Sequence, residues 1–120
     1  MKIELTIPDQ VWNEDPQYKR YFEALQHMVN RMAVSHFKYG KIADKCNTEW
    51  IDDMLGGRQR LCMYDGIGPR PDYKEINTGN TENLLDAANF FILEHLFPKK
   101  KTAHFRAQTS AESPGLAYRE

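Results

Sequence analysis

The chain has 120 residues, enough for one domain, and its contents of 41% hydrophobic and 28% charged residues are typical of a globular protein. Its net charge of −1 argues against a nucleic-acid-binding protein, which needs an excess of positive charge. No apolar run is long enough to cross a membrane, and the N-terminus lacks the pattern of a signal peptide. The only cysteines are Cys46 and Cys62, which we expect to be core thiols, so the composition favours a cytoplasmic protein without disulfides.

The first third of the chain predicts an extended segment followed by a long helix. Residues 2–7 alternate polar and apolar, which favours a strand or an extended arm, and the polar run after Pro8 is expected to end it. A helix is predicted from Asp15-Pro16 to Gly40, because apolar residues recur in this stretch at spacings of three and four.

Two further helices follow. The second is predicted from Asn47 or Thr48 to beyond Cys62, with Gly56-Gly57 as a point where it can break. The third is predicted from Asn80 or Thr81 to about Phe97 and is apolar around nearly its whole circumference, which is typical of a central helix buried by several neighbours.

These elements predict an all-α protein, a small bundle of about three main helices. Residues 1–98 form the helical domain, and residues 99–120, which begin with three lysines and show no periodicity, form a basic, irregular C-terminal arm. Such apolar helices expose more apolar surface than so short a chain can cover, so we expect a homo-oligomer with a shared helical core.

Polar residues interrupt the third helix. Glu82, Asp86 and Asn89 lie on one face of it, and Glu49 and Asp53 are four residues apart on the preceding helix. If the two helices pack antiparallel, the four carboxylates line one cleft, and such a cluster of like charges needs a cation. The pattern therefore predicts a Mg²⁺ site formed by Glu49, Asp53, Glu82 and Asp86. Alternatively, Glu49 and Asp53 complement a helix dipole, and Asp86 and Asn89 form a buried polar network that fixes helix register.

The C-terminal arm carries basic residues that can neutralise phosphates. Lys99 to Lys101 follow the third helix directly, and His104 and Arg106 come shortly after them. The alternative is a solvated end, favoured by the dipole at the C-terminus of that helix.

The C-terminal third resembles a known family of proteins. The motifs are TGNTE at Thr78–Glu82, LLDAANF at Leu84–Phe90, HFRA at His104–Ala107 and ESPG at Glu112–Gly115. They resemble small uncharacterised proteins from bacteriophages and actinobacterial mobile elements. The resemblance implies a phage or mobile-element context, in the cytoplasm of a bacterium or of a phage-infected host.

The segment Asp86–Phe90 is also similar to a helix of MazG-like, all-α nucleoside triphosphate pyrophosphohydrolases. Those enzymes bind Mg²⁺ through E-x-x-E on one helix and E-x-x-D on another, and work as dimers or tetramers. The resemblance implies that Asp86 binds metal and that Asn89 approaches the nucleotide. Asn83 stands where that family has glutamate, and Glu82 is one residue away from that position.

Three functions are therefore predicted as alternatives. The first is a Mg²⁺-dependent pyrophosphohydrolase, in which the four carboxylates are metal ligands or the general base. The second is a protein that binds a nucleotide or nucleotide-derived signal without cleaving it, such as a counter-defence sponge. The third is a helical interaction protein in which the polar residues only specify the bundle. The residues predicted to bind the nucleotide in the first two are Asn89, Lys99, Lys101, His104 and Arg106.

Overall fold

The computed structural model describes residues 1–42, 52–69, 76–109 and 111, and this part of the chain is helical with no strand. The helices are α1 (Asp9–Glu14), α2 (Tyr18–Tyr39), α3 (Asp53–Asp65) and α4 (Glu82–Leu96). The predicted all-α class is therefore confirmed for the described residues. None of the described helices combines the length and the apolar character that a membrane span requires.

The N-terminal region contains a helix that the sequence did not predict. Residues 1–8 have no regular secondary structure, but α1 forms in the polar run after Pro8, where a break was expected. The ring of Trp12 lies 6.0 Å from that of Phe22 in α2, so α1 is held by a contact that its own short pattern does not reveal. The long helix ends at Gly40 as predicted, with φ of 89°, a conformation that favours glycine.

Helices α3 and α4 form an antiparallel hairpin in close contact. The N-terminus of α3 begins after Asp52, whose carboxylate accepts a hydrogen bond from the amide of Leu55 at 3.0 Å. The predicted start at Asn47 or Thr48 lies outside the described residues. The helix continues through Gly56 and Gly57 without a break, because the missing side chains make room for aromatic rings of α4. A Cβ at Gly57 would lie 2.5 Å from the ring of Phe91.

The TGNTE motif joins the two helices of the hairpin. The amide and hydroxyl of Thr78 both donate to the carbonyl oxygen of Met63, at 2.9 and 3.0 Å, and thereby satisfy an exposed end of α3. The side chain of Asn80 accepts a hydrogen bond from the amide of Glu82 at 3.1 Å and caps the start of α4. This motif therefore ends one helix and starts the next.

Helix α2 packs parallel to α4. His27 contacts Glu82 near the start of α4, Arg31 contacts Asp86 one turn later, and Met32 and Leu93 line a small cavity further along. The third predicted helix is thus covered by α2 on one side and α3 on another, but not all round. The hydrophobic residues that are fully buried in the described part are few, namely Met28, Cys62, Ala87 and Leu93.

The start of the C-terminal arm follows the end of α4. Residues 97–109 contain turns but neither helix nor strand. The amide of Lys99 donates to the carboxylate of Glu94 at 2.9 Å, and the ring of Phe105 lies 5.7 Å from that of His95. The described arm is therefore held against the last turn of α4 up to Phe105.

Candidate functional site

The carboxylates of α4 pair with cationic side chains of α2. Arg31 donates from Nε to Oδ1 of Asp86 at 3.2 Å, and its Nη2 lies 3.8 Å from Oε1 of Glu82. His27 Nε2 lies 3.2 Å from Oε2 of Glu82. The pairing follows from the parallel packing, because each helix places its two residues one turn apart on the contacting face. Sequence reasoning missed Arg31, although its spacing from His27 equals that between Glu82 and Asp86.

Arg31 belongs electrostatically to this cluster. The hydrogen bond from Asp86 raises the pKa of the Arg31 guanidinium, and the negative charges of Asp86 and Glu82 act in the same direction. Asp86 keeps only 12% of its side chain exposed, whereas Arg31 and Glu82 keep 41% and 39%. The most buried carboxylate of the cluster is therefore matched by a cation that the protein itself supplies.

The two amides of α4 are also hydrogen-bonded inside the protein. Asn89 is buried and donates from Nδ2 to the backbone carbonyl of Met28 in α2 at 3.0 Å. Asn83, likewise buried, donates to the hydroxyl of Thr78 at 3.4 Å. A buried amide that bonds to a neighbouring helix fixes the register between the two helices.

Asp53 does not join Glu82 and Asp86, although the antiparallel packing of α3 and α4 is as expected. The register of the hairpin places Asp53 beside Lys99, beyond the end of α4, and Asp86 lies about 15 Å further back along that helix at 1.5 Å per residue. The four predicted carboxylates therefore do not line one cleft in the described structure. Glu49 lies outside the described residues.

Asp53 forms a separate ion pair. It is fully buried, and Nζ of Lys99 donates to its Oδ2 at 3.0 Å, while its Oδ1 has no hydrogen-bond partner. Lys99, predicted to contact phosphate, thus uses its ammonium group inside the protein. The pair ties the N-terminus of α3 to the start of the C-terminal arm.

The other predicted ligand-binding residues lie on the arm. Lys101, His104 and Arg106 are exposed, and the ring of His104 bonds to the backbone carbonyl of Thr102 at 3.0 Å. Through Phe105 the arm stays at the C-terminal end of α4, whereas Glu82 lies at the opposite end. The described structure therefore does not bring the basic residues of the arm to the carboxylates of α4.

No arrangement typical of a metal or nucleotide site was found in residues 1–42, 52–69, 76–109 and 111. This part of the chain holds no group of three or more His, Cys, Asp or Glu residues that could bind a metal ion. The cavity beside Leu93 has a volume of about 10 Å³, room for at most one water molecule. A shallow depression of about 680 Å³ lies instead between Asp15 and Ala24, outside the cluster around Arg31.

An apolar surface runs along the edge of the α2–α4 pair, opposite its charged edge. On α2, His27 and Arg31 lie to one side of the Met28 contact, and apolar residues lie to the other. On α4, the carboxylates and the apolar residues are divided in the same way by Asn89. Because the charged sides meet, the apolar sides coincide as well. We call this surface the open face, and its main residues are Leu25 and Val29 of α2 and Leu85, Ala88, Ile92 and Leu96 of α4.

The open face is accessible in the single chain and carries no strong charge. Val29, Ile92 and Leu96 are 61%, 45% and 55% exposed. No Asp, Glu, Lys or Arg occupies the helical positions that make up this surface. The sequence signal for it was the apolar circumference of the third helix, which predicted a cover on every side.

Comparisons with known proteins found no matching family model, curated protein or solved structure.

Proposed function

We propose that the chain is a helical interaction protein whose working form is a homo-oligomer joined through the open face. In this proposal the polar residues of α4 specify how α2 and α4 pack, and the apolar residues of the open face bind a second copy. The observation that carries the proposal is an uncharged apolar surface, formed by two parallel helices, beside a set of polar groups that bond within the protein.

The size of the open face supports an interface rather than scattered apolar side chains. On α2 it extends from Phe22 to His36, about 21 Å at 1.5 Å per residue, and two adjacent helices are about 20 Å wide. The resulting surface of about 400 Å² is within the range at which exposed apolar patches mark interaction sites. Two copies would together cover about 800 Å², at the low end for protein–protein contacts, so we expect reversible association.

A second copy fits the chemistry of this surface better than a charged partner. A charged partner surface would lose hydration against an uncharged face without gaining ion pairs. A copy of the same face offers matching apolar side chains, and closed symmetric contacts are the usual form of homo-oligomers. The small number of fully buried apolar residues also favours additional burial between copies.

The nucleotide pyrophosphohydrolase, its Mg²⁺ cofactor and the nucleotide-binding alternative stay predictions from sequence resemblance. Among the described residues no contact favours them, since Asp86 is paired with Arg31 and Asn89 with Met28. The phage context and the cytoplasmic location are likewise predictions.

The experiment compares two valines of α2 on opposite sides of Met28. Val29 lies on the open face and Val34 does not, and their side chains are 61% and 45% exposed. We expect Val29→Glu to remain folded by circular dichroism but to sediment as a monomer at concentrations at which the wild type associates. Val34→Glu introduces the same charge on the same helix and should sediment like the wild type. Equal association of both variants and the wild type would refute the proposal.

A further inference from the structure

We infer that two copies dock antiparallel, with a two-fold axis that crosses the open face at Val29 of α2 and Ala88 of α4. This inference rests on the proposed self-association and defines its geometry. In this arrangement α4 packs against the α4 of the second copy, and α2 packs against its α2.

The first argument is that both helices present the centre of the open face at the same height. The hydrogen bond from Asn89 to the carbonyl of Met28 fixes the level of α4 relative to α2. Ala88 and Val29 are the chain neighbours of these two residues and lie on the side of the open face. One axis perpendicular to both helices can therefore pass through both positions.

The second argument is the symmetric spacing of apolar residues around that axis. On α4, Leu85 and Ile92 lie three and four residues from Ala88, on either side of it. On α2, Leu25 and Ala33 lie four residues from Val29 on either side. A two-fold rotation thus places Leu85 opposite the partner's Ile92, and alanine at the centre lets the two α4 helices approach closely.

The third argument is the direction of the helix dipoles. Within one chain α2 and α4 run parallel, so a parallel second copy would align four dipoles and place α2 against α4. An antiparallel copy opposes the dipoles and gives two helices in each direction, as in common four-helix bundles. The geometry on both helices therefore favours the antiparallel arrangement.

The test is disulfide trapping in a Cys46→Ser background, in which Cys62 is retained because it is fully buried. Under mild oxidation, Val29→Cys and Ala88→Cys should each form covalent homodimers, since both lie at the axis. Leu85→Cys alone should not, because its two copies are about 10 Å apart along the helices, beyond disulfide reach. Mixed with Ile92→Cys, it should form a heterodimer.

Controls and masses separate the possible outcomes. Val34→Cys, which is exposed but off the open face, should give no covalent dimer, so that random collision is accounted for. Disulfides only in a mixture of Val29→Cys with Ala88→Cys would show the parallel arrangement and overturn the inference while self-association stands. The mass of the reduced wild-type chain is measured in parallel by light scattering. A monomer at all concentrations, with no trapping in any sample, would refute both the inference and the proposed function.

Discussion

The contact between α3 and α4 predicts that Gly57→Ala destabilises the protein although alanine is the better helix former. The added Cβ would lie 2.5 and 2.6 Å from Cε1 and Cζ of Phe91, about 1 Å closer than carbon atoms normally approach. Overpacking of this kind costs about 1–3 kcal/mol, and we take about 2 kcal/mol for two overlapping atoms. The helix propensity of alanine returns about 1 kcal/mol. The net loss in free energy of unfolding should therefore be about 1 kcal/mol.

A double-mutant cycle with Phe91→Ala isolates the clash. In the Phe91→Ala background the ring is absent, so Gly57→Ala should stabilise the protein by about 1 kcal/mol through helix propensity. The coupling between the two positions should be about 2 kcal/mol. The assay is urea unfolding followed by circular dichroism, with all four proteins at one concentration, because association contributes to apparent stability. An equal stabilisation by Gly57→Ala in both backgrounds would refute the close contact of α3 with α4.

Three further predictions concern charged residues. Lys99→Met leaves the buried carboxylate of Asp53 without its cation and should lower the free energy of unfolding by about 3 kcal/mol, whereas the exposed Lys101→Met should change it by less than about 0.5 kcal/mol in the same urea titration; equal effects would show that the ion pair contributes nothing. Asp86→Leu leaves Arg31 near Glu82 and should shift stability by less than about 1 kcal/mol, and EDTA should not change the Tm of the wild type. Pyrophosphate release from nucleoside triphosphates with Mg²⁺, lost in Asp86→Ala, would instead favour the enzyme prediction. Because the pKa of Arg31 is raised in the folded protein, its contribution is complete below the unfolded pKa and is lost only as the pH rises through the folded one. The stability difference between the wild type and Arg31→Met should therefore stay constant from neutral to moderately alkaline pH, and a steady decline over that range would contradict the pairing.

Much of the helical architecture was predictable because it depends on local patterns. Apolar spacing and Gly40 indicated the extent of α2, and the segment around Thr81 indicated the start of α4. Helix α1 was missed because it is too short to show a period and depends on the contact between Trp12 and Phe22. The continuity of α3 through two glycines depends on rings of α4, which a propensity scale for single residues cannot include.

The candidate site was harder to predict because it depends on which helix packs against which. The spacing of Glu82, Asp86 and Asn89 correctly indicated one face, but their partners come from α2, more than fifty residues earlier. The register of the hairpin, set by Gly57 against Phe91, moves Asp53 away from Asp86. A one-dimensional pattern showed that these polar groups need partners, but it did not distinguish a cation from an arginine.

The account is tested most directly by the mass of the wild-type chain across a wide series of concentrations, measured by light scattering after size-exclusion chromatography. We predict a mass that rises from the 14.0 kDa of the single chain towards twice that value as the concentration increases. A mass that stays at 14.0 kDa up to the highest soluble concentration would contradict the claim that the open face binds a second copy.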